Sequence, residues 1–323
     1  MMTTKRCPVG MILRWGGLLG AALVGCARPH LGLVSPLNDD WMVWRQRLDV
    51  ADVGGFSDLT ADESGRLWTV AERDPVLLAI KPAENEGEYV ISERVSLSGV
   101  SRTVDAESLA YLGADTWAIG TEGRERGRHD DLIYIAKRSD DAVRVVDTIN
   151  FPYDLWSMTA DRNKGIEALC YVDGELWVSN ENVVISADKE SRLAPLGRLP
   201  LAARAWQRYW LRLTSRAGKI SAMTCNNSAD GRWLELIAVE RHYGIARIVR
   251  GCVDRTLSSG EIELEPVVDL AAYLLPLPNL EGIVVLPDQR YVLISDNQMF
   301  NIQGPTEVVT AVSRSGSRSA CGQ

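Results

Sequence analysis

The sequence has no excess of basic residues, few histidines and none of the short motifs that mark the common hydrolases. It carries 35 lysines and arginines against 43 acids, for a net charge of −8. Such a surface is repelled by phosphate backbones and anionic headgroups, which argues against a nucleic-acid partner. There is no GxSxG, HExxH or GxxxxGK[ST]. That excludes a serine-hydrolase elbow, a zinc-protease helix and a phosphate-binding nucleotide loop of the usual kinds. No CxxC and no Cys/His spacing suggests zinc.

The first residues carry a different signal. Lys5, Arg6 and Arg14 form a basic region, and an apolar run from Trp15 to Val24 follows. That run has the length of a signal core and is too short to span a bilayer. It ends in Leu23-Val24-Gly25-Cys26, which resembles the lipobox of bacterial lipoproteins. The expectation is a signal peptide over 1–25, lipidated Cys26, a linker over 26–40, one domain over 41–313 and a flexible tail over 314–323. Without the leader, 32 basic residues face 43 acids, a net charge near −11. Membrane association then comes from the lipid anchor. The expected place is the bacterial cell envelope, facing the periplasm or the surface. Ala27 after the cysteine, where inner-membrane retention favours Asp, tilts towards the outer membrane. An exported chain can form disulfides. Cys170, Cys225, Cys252 and Cys321 allow three pairings, and spacing does not choose among them.

What the chain has in quantity is repetition. GGFSDLTADESGRLWTVAERD starts at Gly54, DAESLAYLGADTWAIGTEGRE at Asp105 and NKGIEALCYVDGELWVSNEN at Asn163. GKISAMTCNNSADGRWLELIAVERH starts at Gly218, and NLEGIVVLPDQRYVLISDN at Asn279. Each copy has an apolar run, a polar turn, a second apolar run and an acid. The leading position holds Ser57, Glu107, Glu167, Ser221 and Glu281; the closing position holds Glu72, Glu122, Glu181, Glu240 and Asp296. Short runs rich in Val, Ile, Leu and Trp, bounded by turn residues, read as strands. About four strands per 50–60 residues is the pattern of a β-propeller blade.

The fold class expected is therefore all-β, a propeller with five detectable repeats. A sixth blade requires a degenerate copy hidden between Val183 and Lys219. The last repeat is one strand short, and WMVWRQRLDV at Trp41 can supply it, closing the ring and removing open edges. In such a ring, equivalent positions converge on one axis, so the carboxylates gather in tiers. Trp68 and Trp177 recur at one strand position and read as core.

The order GGFSDL, DAESLA, NKGIEAL, ISAMT with a following VER, and NLEG with a following SDN resembles the phytase-like propeller family. That family is also described by esterase-like activity of phytase, and its name derives from calcium-dependent phytases. The resemblance implies an exported propeller over roughly residues 50–315. It does not fix an activity, because fold does not determine chemistry.

Crowded carboxylates repel one another unless some are protonated or a cation binds, and oxygen ligands suit calcium. The candidate metal ligands are Glu107, Glu167, Glu281, Glu72, Glu181, Glu240 and Asp296. Arg73, Arg241 and His242 adjoin closing acids, so a phosphate could be held between guanidinium groups and a cation, with His242 moving protons. The first functional expectation is a calcium-dependent phosphoester or ester hydrolase. The second is a non-catalytic binding or scaffold propeller holding an ester, a glycan or a protein at the envelope.

Overall fold

The computed structural model describes residues 40–50, 53–72, 76–84, 88–101, 103–186, 191–296, 305–316 and 321. The leader, Cys26, most of the linker and Arg73 lie outside the described residues. No α-helix occurs among them; 22 strands and two short 3₁₀ turns make up the regular structure.

β1 is Trp41–Arg47. Four antiparallel strands then follow in sequence: β2 (Phe56–Ala61), β3 (Leu67–Ala71), β4 (Val76–Pro82) and β5 (Tyr89–Ser98). A second set comprises β6 (Val104–Gly113), β7 (Thr116–Gly123), β8 (Asp130–Ser139) and β9 (Ala142–Pro152). The third contains β10 (Ile166–Val172), β11 (Glu175–Asn180), a short β12 (Val184–Ile185), β13 (Arg192–Pro200) and β14 (Gln207–Arg212). The fourth runs through β15 (Lys219–Asn227), β16 (Trp233–His242), β17 (Ile245–Asp254) and β19 (Glu265–Asp269). Between its last two strands, β18 (Ser259–Glu263) crosses to pair with β14 in parallel. The last set is β20 (Asn279–Val285), β21 (Tyr291–Asp296) and β22 (Glu307–Ser313). Its fourth strand is β1, paired antiparallel to β22 from Trp41↔Ser313 to Arg47↔Glu307.

Among the described residues the strands thus form five four-stranded meanders. Their innermost strands β2, β6, β10, β15 and β20 neighbour one another in that order, and β20 returns to β2. This is a closed propeller, with the N-terminal strand completing the last meander as the sequence led us to expect. The stretch from Val183 to Lys219 supplies β12–β14, the outer part of the third meander, rather than a unit of its own.

The apolar pattern explains the ring. Both faces of each meander are apolar, so each must pack against a neighbour. The buried residues fall into five clusters, one between each adjacent pair of meanders. Trp68, Trp117 and Trp177 are fully buried in these layers, and the rings of Trp68 and Trp117 meet edge to face at 5.2 Å. The repeated tryptophans are core, as their position suggested.

Two disulfides settle the pairing that spacing left open. Cys170 on β10 joins Cys225 on β15, tying two adjacent inner strands. Cys252 on β17 joins Cys321, a described residue within the span 314–323. Closing a loop of 55 residues removes chain entropy worth about 4 kcal/mol. Replacing Cys170 and Cys225 by alanine is expected to lower the free energy of unfolding in urea by about that amount. An unchanged urea midpoint would show that the bridge does not constrain the unfolded chain.

Candidate functional site

One backbone irregularity recurs in every inner strand. The pairing of β6 with β7 skips Glu107, that of β10 with β11 skips Glu167, that of β15 with β16 skips Ser221 and that of β20 with β21 skips Glu281. In β2 the ladder breaks just after Ser57. A bulge of this kind re-aims one side chain and interrupts pairing, and bulges cluster beside active sites. Four of the five leading residues are therefore bulge residues, and Ser57 stands directly before the bulge of β2.

Register then decides which closing residues join them. Glu122 pairs with Asp105 and Asp296 with Asn279, each two residues before the bulge. The Glu72 and Glu181 amides donate to the carbonyls of Gly55 and Gly165 at the same offset. In the fourth meander the residue at that offset is Lys219, and its partner is Arg241, not Glu240. A one-residue slip moves a strand side chain to the opposite face. Glu240 is accordingly fully buried away from the ring, accepting from the Thr214 amide (2.9 Å), the Thr214 hydroxyl (2.6 Å), the Ser215 amide (2.9 Å) and the Ser215 hydroxyl. It braces the 214–215 loop. Its place in the tier is taken by a guanidinium.

These residues surround a cavity of about 580 Å³ at one end of the channel. Its charged lining is Glu107, Glu122, Glu167, Glu181 and Glu281 against Lys164, Lys219 and Arg241, with His242 at the rim. The two signs are unevenly paired. Arg241 holds Glu281 in a two-bond ion pair whose Nε arm spans 3.2 Å, and Asn279 donates to Glu281 (2.8 Å) and Asp296 (3.3 Å). Glu181 is clasped by Lys219 and by Lys164 at 3.0 Å.

The opposite wall has no such balance. Glu107 accepts from the Ser57 hydroxyl at 3.0 Å, Glu122 from the Gly165 amide at 3.0 Å, and Glu167 accepts no hydrogen bond among the described residues. Nearby arginines are engaged elsewhere: Arg124 with Asp105 at 2.7 Å and Arg128 with Asp131 at 2.9 Å. Two triads bring carboxylate oxygens within 4.8 Å of one another: Asp105, Glu107 and Glu122, and Glu122, Glu167 and Glu181. Gly165 permits this crowding, because a Cβ there would lie 2.4 Å from that of Glu122.

The electrostatic consequence follows. Burial pushes the Glu122 carboxyl up to about 8, and Glu167 and Asp105 add to the rise. Burial likewise holds Glu107 well above the usual range, reinforced by Glu72, Glu167 and Glu122. Burial brings Lys219 down to about 8; the Glu167 charge opposes the fall, and Arg241 and Lys164 add to it. Two neighbouring carboxyls that hold their protons this tightly, Glu107 and Glu122, are ones that a cation can discharge.

Of the expected site residues, Glu107, Glu167, Glu181, Glu281, Arg241 and His242 line this cavity. Glu72, which receives the Ser57 hydroxyl at 3.4 Å, and Asp296 lie behind it. His242 is exposed and packs edge to face on Tyr243 at 4.9 Å. Sequence reasoning passed over Lys164, Lys219 and Asn279, though each sits within three residues before a leading position. It also missed Asp58. This aspartate follows Ser57 in the bulge at φ 59°, is fully buried, and accepts from the amides of Leu59 (2.8 Å), Leu109 (3.0 Å) and Leu169 (3.5 Å).

A closed ring of meanders around a polar, two-signed cavity defines a β-propeller. The chain belongs to the phytase-like family, described by esterase-like activity of phytase, whose family model matches residues 51–299. No curated protein matches the sequence. Among solved structures, the chain is similar to the PQQ-bound aldose sugar dehydrogenase of Streptomyces coelicolor, at 10% identity and TM-score 0.47, covering 86% of this chain and 99% of that one. It is also similar to an exo-β-1,3-galactanase of Phanerochaete chrysosporium, at 7% identity and TM-score 0.49, covering 84% and 64%. A third is a Thermus thermophilus oxidoreductase described as a glucose dehydrogenase, at 8% identity and TM-score 0.41, covering 84% and 100%.

Proposed function

We propose that the channel mouth binds a divalent cation, calcium foremost, on Glu107, Glu122 and Glu167, and hydrolyses a phosphoester or related ester beside it. The observation that carries this reading is the uneven pairing of charge: Lys164, Lys219 and Arg241 pair with Glu181 and Glu281, while Glu107, Glu122 and Glu167 in the same cavity have no ion pair among the described residues. The donor set fits the ion. Calcium takes oxygen ligands at about 2.3–2.6 Å, which sets ligand oxygens no more than about 5 Å apart; Glu122 belongs to two triads that meet that limit, one with Asp105 and Glu107 and one with Glu167 and Glu181.

When bound, the cation supplies charge neutralisation and Lewis-acid polarisation. The chain's own groups do the rest. Arg241, fixed by Glu281, offers a planar donor pair to an anionic oxygen, and Lys219 and Lys164 add point charges beside it. His242 stands at the rim, where a leaving group would take a proton. The absence of any hydrogen bond orienting His242 among the described residues favours a second reading, a binding propeller without turnover. We further infer that the protein is exported and lipid-anchored at Cys26 in the cell envelope. The two disulfides support an oxidising compartment.

Removing calcium with a chelator is expected to lower the melting temperature, and restoring it to raise it again. A panel of phosphate and acyl esters then tests turnover. A melting temperature indifferent to calcium counts against the cation. Stabilisation without turnover of any ester favours the binding reading.

A further inference from the structure

The same cavity carries information about what its ligand looks like. Beyond the charged tier, its lip is formed by Tyr243, Ile245, Leu277 and Pro278. All four lie on the turn after β16, the start of β17 and the loop before β20, so the apolar lip adjoins the cationic wall and not the carboxylate wall. Tyr243 is 93% exposed, the extreme among the large apolar side chains, and follows Arg241 by two residues. An aromatic face left in water beside a charged pocket is a surface that a ligand's apolar part can cover.

The charge count limits the rest of the ligand. Five carboxylates and three cations line the cavity, and every one of the three cations is already in contact with an acid. One phosphate can be accommodated between Arg241, Lys219 and a bound cation. A ligand with a phosphate on every side would set several of them against Glu107, Glu122 and Glu167, and like charges at such range are strongly unfavourable in a partly dry site.

Resting on the cation-assisted reading above, the geometry points to a ligand with a single phosphate and an apolar, preferably aromatic, arm laid on Tyr243. It points away from polyphosphorylated polyols. The phosphate sits inward on Arg241 and the lysines; the arm points outward across Tyr243 and Leu277. Tyr243 is thus a specificity residue that contributes contact area rather than charge.

Calorimetry at fixed free calcium tests this with phenyl phosphate, inorganic phosphate and inositol hexakisphosphate. Phenyl phosphate is expected to bind about tenfold tighter than inorganic phosphate. The advantage is expected to vanish in Tyr243→Ala and to survive in Tyr243→Phe, with calcium affinity unchanged in both. Inositol hexakisphosphate is expected to bind no tighter than inorganic phosphate. If inositol hexakisphosphate binds tightest, or if Tyr243→Ala keeps the phenyl advantage, the inference is overturned while the cation-assisted reading stands. If no anion binds at saturating calcium, both fall together.

Discussion

Replacing Glu122 and Glu167 together by glutamine is expected to stabilise the calcium-free protein and to abolish its response to calcium. The reason lies in the unbalanced wall. Burial holds the Glu122 carboxyl at about 8, above the range it has in an unfolded chain, so the folded state binds its proton more tightly. Where the folded state holds more protons, stability falls as pH rises. The contribution of Glu122 is therefore fully present below about pH 4.5 and is lost progressively as pH climbs to about 8. Between about pH 5.5 and about 8 the calcium-free protein loses on the order of 3 kcal/mol from this group. Calcium takes the proton's place, so its affinity grows over the same interval. Glutamine at both positions keeps the shape and the acceptor for the Gly165 amide, and removes the charge. Thermal melts across pH, with chelator and with calcium, read all of this. The expected variant melts higher than the parent near pH 8 without calcium and shows no calcium shift, with a residual slope left by Glu107. A variant that melts with the parent and still responds to calcium would remove Glu122 and Glu167 from the ligand set.

Asp58→Ala is expected to be the most damaging single substitution outside the apolar layers. Asp58 stands where the inner strands converge. Its carboxylate serves amides on β2, β6 and β10, and Gly282 of β20 lies so close that a Cβ there would come within 2.5 Å of the Asp58 backbone. Burial pushes this carboxyl well above its usual range, and the three amides pull it back. Its removal leaves those amides buried with no acceptor, at about 1–3 kcal/mol each, or about 3–9 kcal/mol together. Asp58→Asn keeps one oxygen and suits the left-handed backbone at this residue, so an intermediate loss is expected. Urea unfolding of the three proteins gives the order parent, Asn, Ala. An alanine variant within about 1 kcal/mol of the parent would mean that water, not Asp58, serves these amides.

The repeats made most of this architecture readable. Alternating apolar runs with Asp- and Gly-rich turns announce strands, and five copies announce a ring, because residue type and spacing survive without knowledge of tertiary structure. The N-terminal strand was legible by subtraction, from a last repeat one strand short. Parity was not legible. Glu240 matched the other closing acids in chemistry, yet β16 is longer than the other second strands, and only the register past the bulge at Ser221 shows that Arg241 faces the channel. Asp58 was invisible for a related reason. A carboxylate in GGFSDL reads as a turn residue until three strands from distant parts of the chain place their amides around it. The disulfides depended in the same way on which inner strands become neighbours.

The pairing of β1 with β22 also has a consequence in time. The first strand of the domain to leave the ribosome or to cross a membrane is the one that waits for the last. Pairings between such remote segments are slow to form. Until Glu307–Ser313 arrives, the ring is open. The charged tier draws on residues from Ser57 to Asp296, so a fragment that stops short of β21 holds no complete site. The site is finished late in synthesis, when the last meander joins the first.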